Sequence, residues 1–303
     1  MNPKVNNRIA LIGCPMDMGA SMRGCRLGPE AIRLAGIKNR LEKIGYQVID
    51  QGDVNTTNAY GHHKDRENLN HLDLVKEANE NLYKKVHEVM DLGQFPLILG
   101  GDHSIAIGSI KAILDHYEDL GVIWFDAHGD INTTDTSPSG NIHGMPVATL
   151  MGHGSPQLID IGQKDHFLKK EHIVYIGSRD LDFGERKIMR DLGVKVFTMH
   201  EVDALGIQEV MKQALDYLRE RTEHIHVSFD MDILDPEVAP GTGTKVPGGM
   251  AYREAHLCLE SVAQSNSLVS CEFVEVNPIL DHENKTAKTA VALAGSLLGE
   301  WLI

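Results

Sequence analysis

Cysteine is scarce in this chain. Four in 303 residues, Cys14, Cys25, Cys258 and Cys271, form no CxxC pair and no dense framework. That excludes a disulfide scaffold and a thiolate zinc site, and it reads as reduced thiols of an intracellular protein. Long apolar runs are also missing: nothing approaches a membrane span, and Ile9 to Ile12 is too short for the core of a signal peptide. A cytoplasmic protein with no membrane partner is expected. Excess positive charge is absent too, since 29 Lys and Arg face 43 Asp and Glu for a formal charge of −14. Such a balance argues against nucleic acid as a partner and mildly favours a cationic substrate. With no repeat, linker or low-complexity segment, residues 1–303 are expected to form a single domain.

What is present is ample for a core: 42% hydrophobic against 24% charged residues. Short apolar runs predict strands at Ile9–Ile12, Tyr46–Ile49, Phe95–Leu99, Val122–Phe125, Ile173–Ile176, Lys195–Phe197, His224–Phe229 and Leu268–Val276. Helical periodicity predicts one helix from Gly28-Pro29 to Leu41, with Pro where its missing N–H costs nothing. Further helices are predicted at about Glu67–Leu92, Ile105–Tyr117, Phe183–Leu192, Gly206–Arg221, Tyr252–Gln264 and Asn284–Leu297. The polar segment from Gly52 to Arg66, with His62-His63, reads as a surface loop. Strands alternating with helices mean an α/β protein whose mainly parallel sheet is covered on both faces.

The stretch from Gly121 to Gly144 stands apart. The run Val122-Ile123-Trp124-Phe125 suits a strand buried on both faces, and it breaks into Asp126, His128 and Asp130. In extended chain, alternate side chains point the same way, roughly 6.5–7 Å apart at about 3.3 Å per residue. Taken alone, this pattern equally fits a capped strand with solvated acids. Two other apolar runs end similarly: Leu97-Ile98-Leu99 leads to Asp102-His103, and Val227-Ser228-Phe229 leads to Asp230 and Asp232. Parallel sheets bind ligands outside the carboxyl ends of their strands. A polynuclear metal site built from His103, Asp126, His128, Asp130, Asp230 and Asp232 is therefore expected. Carboxylate and imidazole ligands without thiolate favour Mn²⁺ or a comparable ion over structural zinc. Four carboxylates are balanced by two divalent cations, a pair that activates water for hydrolysis.

The ordered motifs GGDHS at 100–104, DAHGD at 126–130 and SFDMD followed by Leu234-Asp235-Pro236 resemble those of the ureohydrolase superfamily, which contains arginases and agmatinases. The resemblance runs from Gly13 to the final helix. It implies a three-layer α/β/α fold and two Mn²⁺ per chain. It also implies a ligand division, with His103 and Asp130 on one ion, His128 and Asp232 on the other, and Asp126 and Asp230 bridging. A trimer or hexamer is implied as well. Ile233 departs from the pattern, since arginases often carry Gly there; the position questions local packing more than chemistry.

The loop from Asn132 to His143 separates the candidate substrates. Asn132, Thr133, Thr134, Thr136, Ser137, Ser139 and Asn141 offer neutral donors suited to a carboxylate, though a polar surface loop has the same composition. SPSGNIHG resembles the arginase loop that receives the α-carboxylate, a group agmatine lacks. The resemblance gives Asp182 the α-amino group, with Glu185 nearby. On sequence alone these two acids equally fit a helix N-terminus. Glu275, in an apolar strand, resembles the arginase acid that orients the guanidinium, and Thr244 would share its pocket wall.

The implied reaction is hydrolysis of L-arginine to L-ornithine and urea by a metal-bridging hydroxide. Asp130 would transfer the proton to the departing amine and His143 would act as proton shuttle. The nearest alternative is an agmatinase or other guanidino-acid ureohydrolase. A non-catalytic protein retaining the fold, or a single-zinc deacetylase on a similar fold, would be of another class.

Overall fold

The computed structural model describes residues 7–59 and 69–301. Strands β1 (Arg8–Gly13), β2 (Gln47–Asp53), β3 (Phe95–Leu99), β4 (Gly121–Phe125), β5 (Ile173–Ser178), β6 (Lys195–Thr198), β7 (Ile225–Asp230) and β8 (Leu268–Val274) form one sheet. All neighbours pair in parallel, in the order β2-β1-β3-β8-β7-β4-β5-β6. The uninterrupted apolar runs explain the placement. In β3 and β4 every residue is buried, as a strand covered on both faces requires.

The core divides into two apolar clusters, one on each face of the sheet. Phe125, Phe229 and Phe273 pack with helices Ile207–Arg219, Tyr252–Ser265 and Lys285–Leu297. Ile98, Trp124 and Val274 pack with helices Leu72–Asp91 and Ala106–Leu114. The architecture is the expected three-layer α/β/α. Among the described residues no helix is long and apolar enough to cross a membrane.

The register positions the site. Leu99 pairs with Phe273, Phe273 with Phe229, and Phe229 with Phe125. The three phenyl rings form a row with centroids 5.5 and 5.3 Å apart. This row levels the carboxyl ends of β3, β8, β7 and β4. The first residues beyond it leave the sheet side by side, at the edge where parallel sheets place their ligands.

Several boundaries differ from expectation. The helix predicted from Gly28 to Leu41 is two helices, Gly28–Leu34 and Ile37–Lys43, separated by Gly36 at φ 92°. Apolar spacing carries across the break, which hides it in the sequence. The long helix starts at Leu72, after His71 in the left-handed region. Residues 60–68, which include His62 and His63, lie outside the described residues. Ile233 is fully buried, and a Cβ on Gly177 would lie 2.0 Å from its Cδ1. The larger side chain at 233 is accommodated because position 177 has none.

Candidate metal centre and the cavity above it

Three strand tips use the same local device. Asp102 Oδ1 accepts the Ser104 N–H at 3.0 Å, Asp126 Oδ1 that of His128 at 2.7 Å, and Asp230 Oδ1 that of Asp232 at 2.7 Å. Each carboxylate closes a turn on the backbone two residues on. The segment after β4 is therefore not extended, as side-chain alternation assumed. The strand stops at Phe125, Asp126 turns the chain, and Asp130 sits at φ 48°. Glu275, just past β8, is also left-handed at φ 61°. Such backbone costs on the order of 1–3 kcal/mol per residue. Surrounding bonds hold both in place: Val147 N–H donates to Asp130 O at 2.9 Å, and Glu275 N–H donates to Gly101 O at 2.8 Å.

The six expected ligands converge. His103 Nδ1 lies 3.1 Å from an oxygen of each of Asp126, Asp130 and Asp230. His128 Nδ1 lies 3.3 Å from Asp126 and 3.2 Å from Asp232. Two groups of potential ligand atoms result, His103–Asp126–Asp230 and Asp126–His128–Asp232, with Asp126 common to both. Burial opposes charge on His103, yet the facing acids outweigh it and hold its pKa well above the ordinary imidazole value. His128 is raised likewise, mainly by Asp232 and Asp126 against burial. Burial and the charge of Asp126 push Asp130 up to about 6.

These residues fit metal ions. His103 Nδ1 is buried and has no aligned hydrogen-bond partner, although three carboxylate oxygens face it. Its tautomer follows from the other nitrogen. His103 Nε2 is 2.8 Å from Ser228 Oγ, and Ser228 gives its only proton to Glu272 Oε1 at 2.7 Å. Ser228 must therefore accept from Nε2–H, which leaves the Nδ1 lone pair aimed at the acids. One proton there would satisfy one of the three oxygens. A metal cation satisfies all of them.

Behind the ligands lie groups that sequence reasoning missed. Glu272 is fully buried and also accepts from Ser109 Oγ at 2.5 Å. The indole of Trp124 stacks on His103 with centroids 4.0 Å apart, and its N–H donates to Asp126 Oδ2 at 3.0 Å. Arg179 donates to the carbonyls of Asp232 and Val246 at 2.8 and 2.7 Å, tying down the segment after β7. The available signal was Ser228 and Glu272 themselves, polar residues inside strands otherwise built to be buried.

Above the ligands opens a cavity of about 200 Å³. His128, Asp130 and Asp230 line its lower part, and Asn132, Ser137, Ser139, Asn141, His143, Asp182, Glu185 and Thr244 the rest. His103, Asp126, Asp232 and Glu275 stand behind this lining. Ser137 Oγ accepts the Gly140 N–H at 3.0 Å and Ser139 Oγ the Asn141 N–H at 3.1 Å. Their hydroxyl protons are thus left to donate. Asn141 is fixed by Ser21 and Asn70, at 2.9 and 2.7 Å. Thr133 and Thr136 bond each other's segment, and Thr136 donates to Asn132 at 2.8 Å, so they serve the loop itself.

Asp182 and Glu185 stand at a helix N-terminus, one of the two readings open in the sequence. They form a reciprocal capping box on helix Phe183–Leu192, and they also line the cavity. Burial and the charge of Asp130 push Glu185 up to about 7. Thr244 Oγ1 donates to Asp232 at 2.9 Å. Glu275 has partners on both oxygens: His103 N–H at 2.9 Å and His143 Nδ1 at 3.1 Å on Oε1, and Cys25 Sγ at 3.1 Å on Oε2. A two-pronged grip on a substrate group is not open in this arrangement. Burial opposes charge on His143, but Glu275 outweighs it and raises the imidazole to about 9.

Residues 7–299 match the model of the arginase family. The chain is 53% identical to a Bacillus caldovelox arginase, over 97% of this chain and 99% of that one. It is 51% identical to the arginase of Brevibacillus brevis, over 99% and 100%. The solved structure of the Bacillus caldovelox enzyme superposes with a TM-score of 0.95, covering 98% of this chain and 99% of the other. On this sequence match, this fold and this convergence of acids and imidazoles, the chain belongs to the arginase family and is a hydrolase.

Proposed function

We propose that the protein hydrolyses L-arginine to L-ornithine and urea with two Mn²⁺ ions held by His103, Asp126, His128, Asp130, Asp230 and Asp232. The observation that carries this reading is the charge layout of the cavity. Free hydroxyl protons of Ser137 and Ser139 lie on the rim loop, Asp182 and Glu185 on a neighbouring wall, and Asp130 and Asp230 below. Donors on the rim and acids on the wall complement an α-carboxylate and an α-amino group. The metal ligands below put the reaction at the opposite end, where a guanidinium would lie.

When bound, the two ions supply Lewis acidity and bring the ionisation of water near neutrality. The chain's own groups do the rest. Ser137, Ser139 and the fixed amide of Asn141 receive the carboxylate, and Asp182 with Glu185 the amino group. Glu275 contributes negative charge beneath the guanidinium end and orients His143 through its Nδ1 contact of 3.1 Å. Asp130 takes one proton of the attacking water and passes it to the departing nitrogen as the C–N bond breaks. His143, with its other ring nitrogen available, relays the water's second proton to bulk water or to the released amine.

Side-by-side kcat/KM for L-arginine, agmatine and 4-guanidinobutyrate tests the substrate. Arginine is expected to lead by at least tenfold; a preference for agmatine would overturn the rim assignment.

A further inference from the structure

On the helical layer, outside the cavity lining, a second set of metal-type side chains meets. His87 and Asp91 are one turn apart at the end of helix Leu72–Asp91, and His116 follows the end of the neighbouring helix Ala106–Leu114. His87 Nδ1 is 3.2 Å from Asp91 Oδ2, and His116 Nε2 is 3.1 Å from Asp91 Oδ1. The two imidazole rings lie 4.4 Å apart at 59°. All three side chains keep some exposure, so a small ion reaches them from solvent.

We propose that His87, Asp91 and His116 form a surface site for one zinc-type divalent cation. Three independent features support it. The first is the tautomer of His116. Its Nδ1 lies 3.0 Å from the carbonyl of Ala112, which only accepts, so Nδ1 carries the hydrogen. Nε2 is then the nitrogen that faces the Asp91 oxygen, and the pair takes a proton or a metal cation between the two atoms.

The second is the position of Asp91. It is the last residue of its helix, where the helix dipole disfavours an acid, and that last turn has no basic residue. The third is spacing. A tetrahedral ion with bonds of about 2.0–2.1 Å keeps its ligand atoms about 3.3 Å apart. One ligand atom from each of the three residues lies within 4.8 Å of the others. Each ring faces its own oxygen of Asp91, at 3.1 Å for His116 and 3.2 Å for His87. Two imidazoles and one carboxylate select a late first-row ion over Mg²⁺ or Ca²⁺, with water filling the open position. Bound there, the ion ties the ends of two adjacent helices without touching the reaction.

The test uses the enzyme already saturated with Mn²⁺, so that exchange at the buried centre is accounted for. Zn²⁺ is added under excess Mn²⁺, unbound metal is removed, and both metals are counted per chain. Wild-type protein is expected to gain one ion in total. His87→Ala, His116→Ala and Asp91→Asn should bind that ion at least tenfold more weakly, with hydrolytic activity unchanged. In calorimetry, the added zinc should raise the melting temperature of the wild type and not of the variants. No gain in total metal for the wild type, or equal gain and affinity in all four proteins, would overturn the proposal. A proton shared between His116 and Asp91 would give the first of those results.

Discussion

At the floor of the cavity, acids are aimed by backbone N–H groups at levelled strand tips, and Asp126, Asp230 and Asp232 are almost wholly buried. At the rim, Ser137, Ser139 and Asn141 stand on a loop and are held by bonds within that loop and to Ser21 and Asn70. The floor belongs to the sheet, so its geometry is as rigid as the phenyl row beneath it. The rim depends on a handful of single hydrogen bonds, each worth about 0.5–1.5 kcal/mol. On the proposed function this contrast puts the chemistry on the rigid floor and the selectivity on the more easily altered rim.

Four interventions probe the contrast, and the strongest acts on the floor. Chelation should abolish urea release and Mn²⁺ should restore it. A metal present at a thousandfold excess over its Kd should return about 4 kcal/mol of stability, read as a rise in melting temperature. Because His103 and His128 are held above the ordinary imidazole value, protons compete with the ions. Metal uptake near neutrality should therefore release protons, and affinity should fall as pH falls. Uptake without proton release would contradict the assigned ligands.

Next in size is His143→Asn, between floor and rim. It should lower kcat by about 10²–10⁴ while metal content stays the same; equal kcat in the two proteins would remove His143 from the reaction. Behind the floor, Ser228→Ala and Glu272→Gln should weaken Mn²⁺ binding by about 10–100-fold, as loss of groups orienting a metal ligand does. Unaltered affinity would mean that Ser228 does not fix the His103 tautomer. Smallest is the rim itself. Ser137→Ala or Ser139→Ala should raise KM for arginine by roughly tenfold, the cost of one hydrogen bond to a charged group, with little change for agmatine. If both substrates suffer equally, the rim hydroxyls do not read the carboxylate.

Much of the floor was legible in the sequence because short apolar runs mark buried parallel strands and each run ends in an acid. The structure brings those residues together, but through turns and not through the extended alternation that was expected. Asp126 and Asp230 reach the site through turns closed on His128 and Asp232 N–H groups, and such turns look like extended alternation when only residue order is visible. Gly36 broke a helix whose apolar spacing continued unchanged. Ser228 and Glu272 were invisible as partners because they lie on different strands, brought together by the β7–β8 register that pairs them directly. Asp182 and Glu185 show the opposite limit. Two readings of the same acids were open in the sequence; the structure shows the capping box and places both acids on the cavity wall, where a substrate role stays a proposal.

The most direct test of the account is a count of Mn²⁺ bound per chain at saturation by equilibrium dialysis against the metal-free protein. The account predicts two ions, with Asp126→Ala reducing binding to both because its carboxylate is common to the two ligand groups. Saturation at a single ion in the wild-type protein would contradict it.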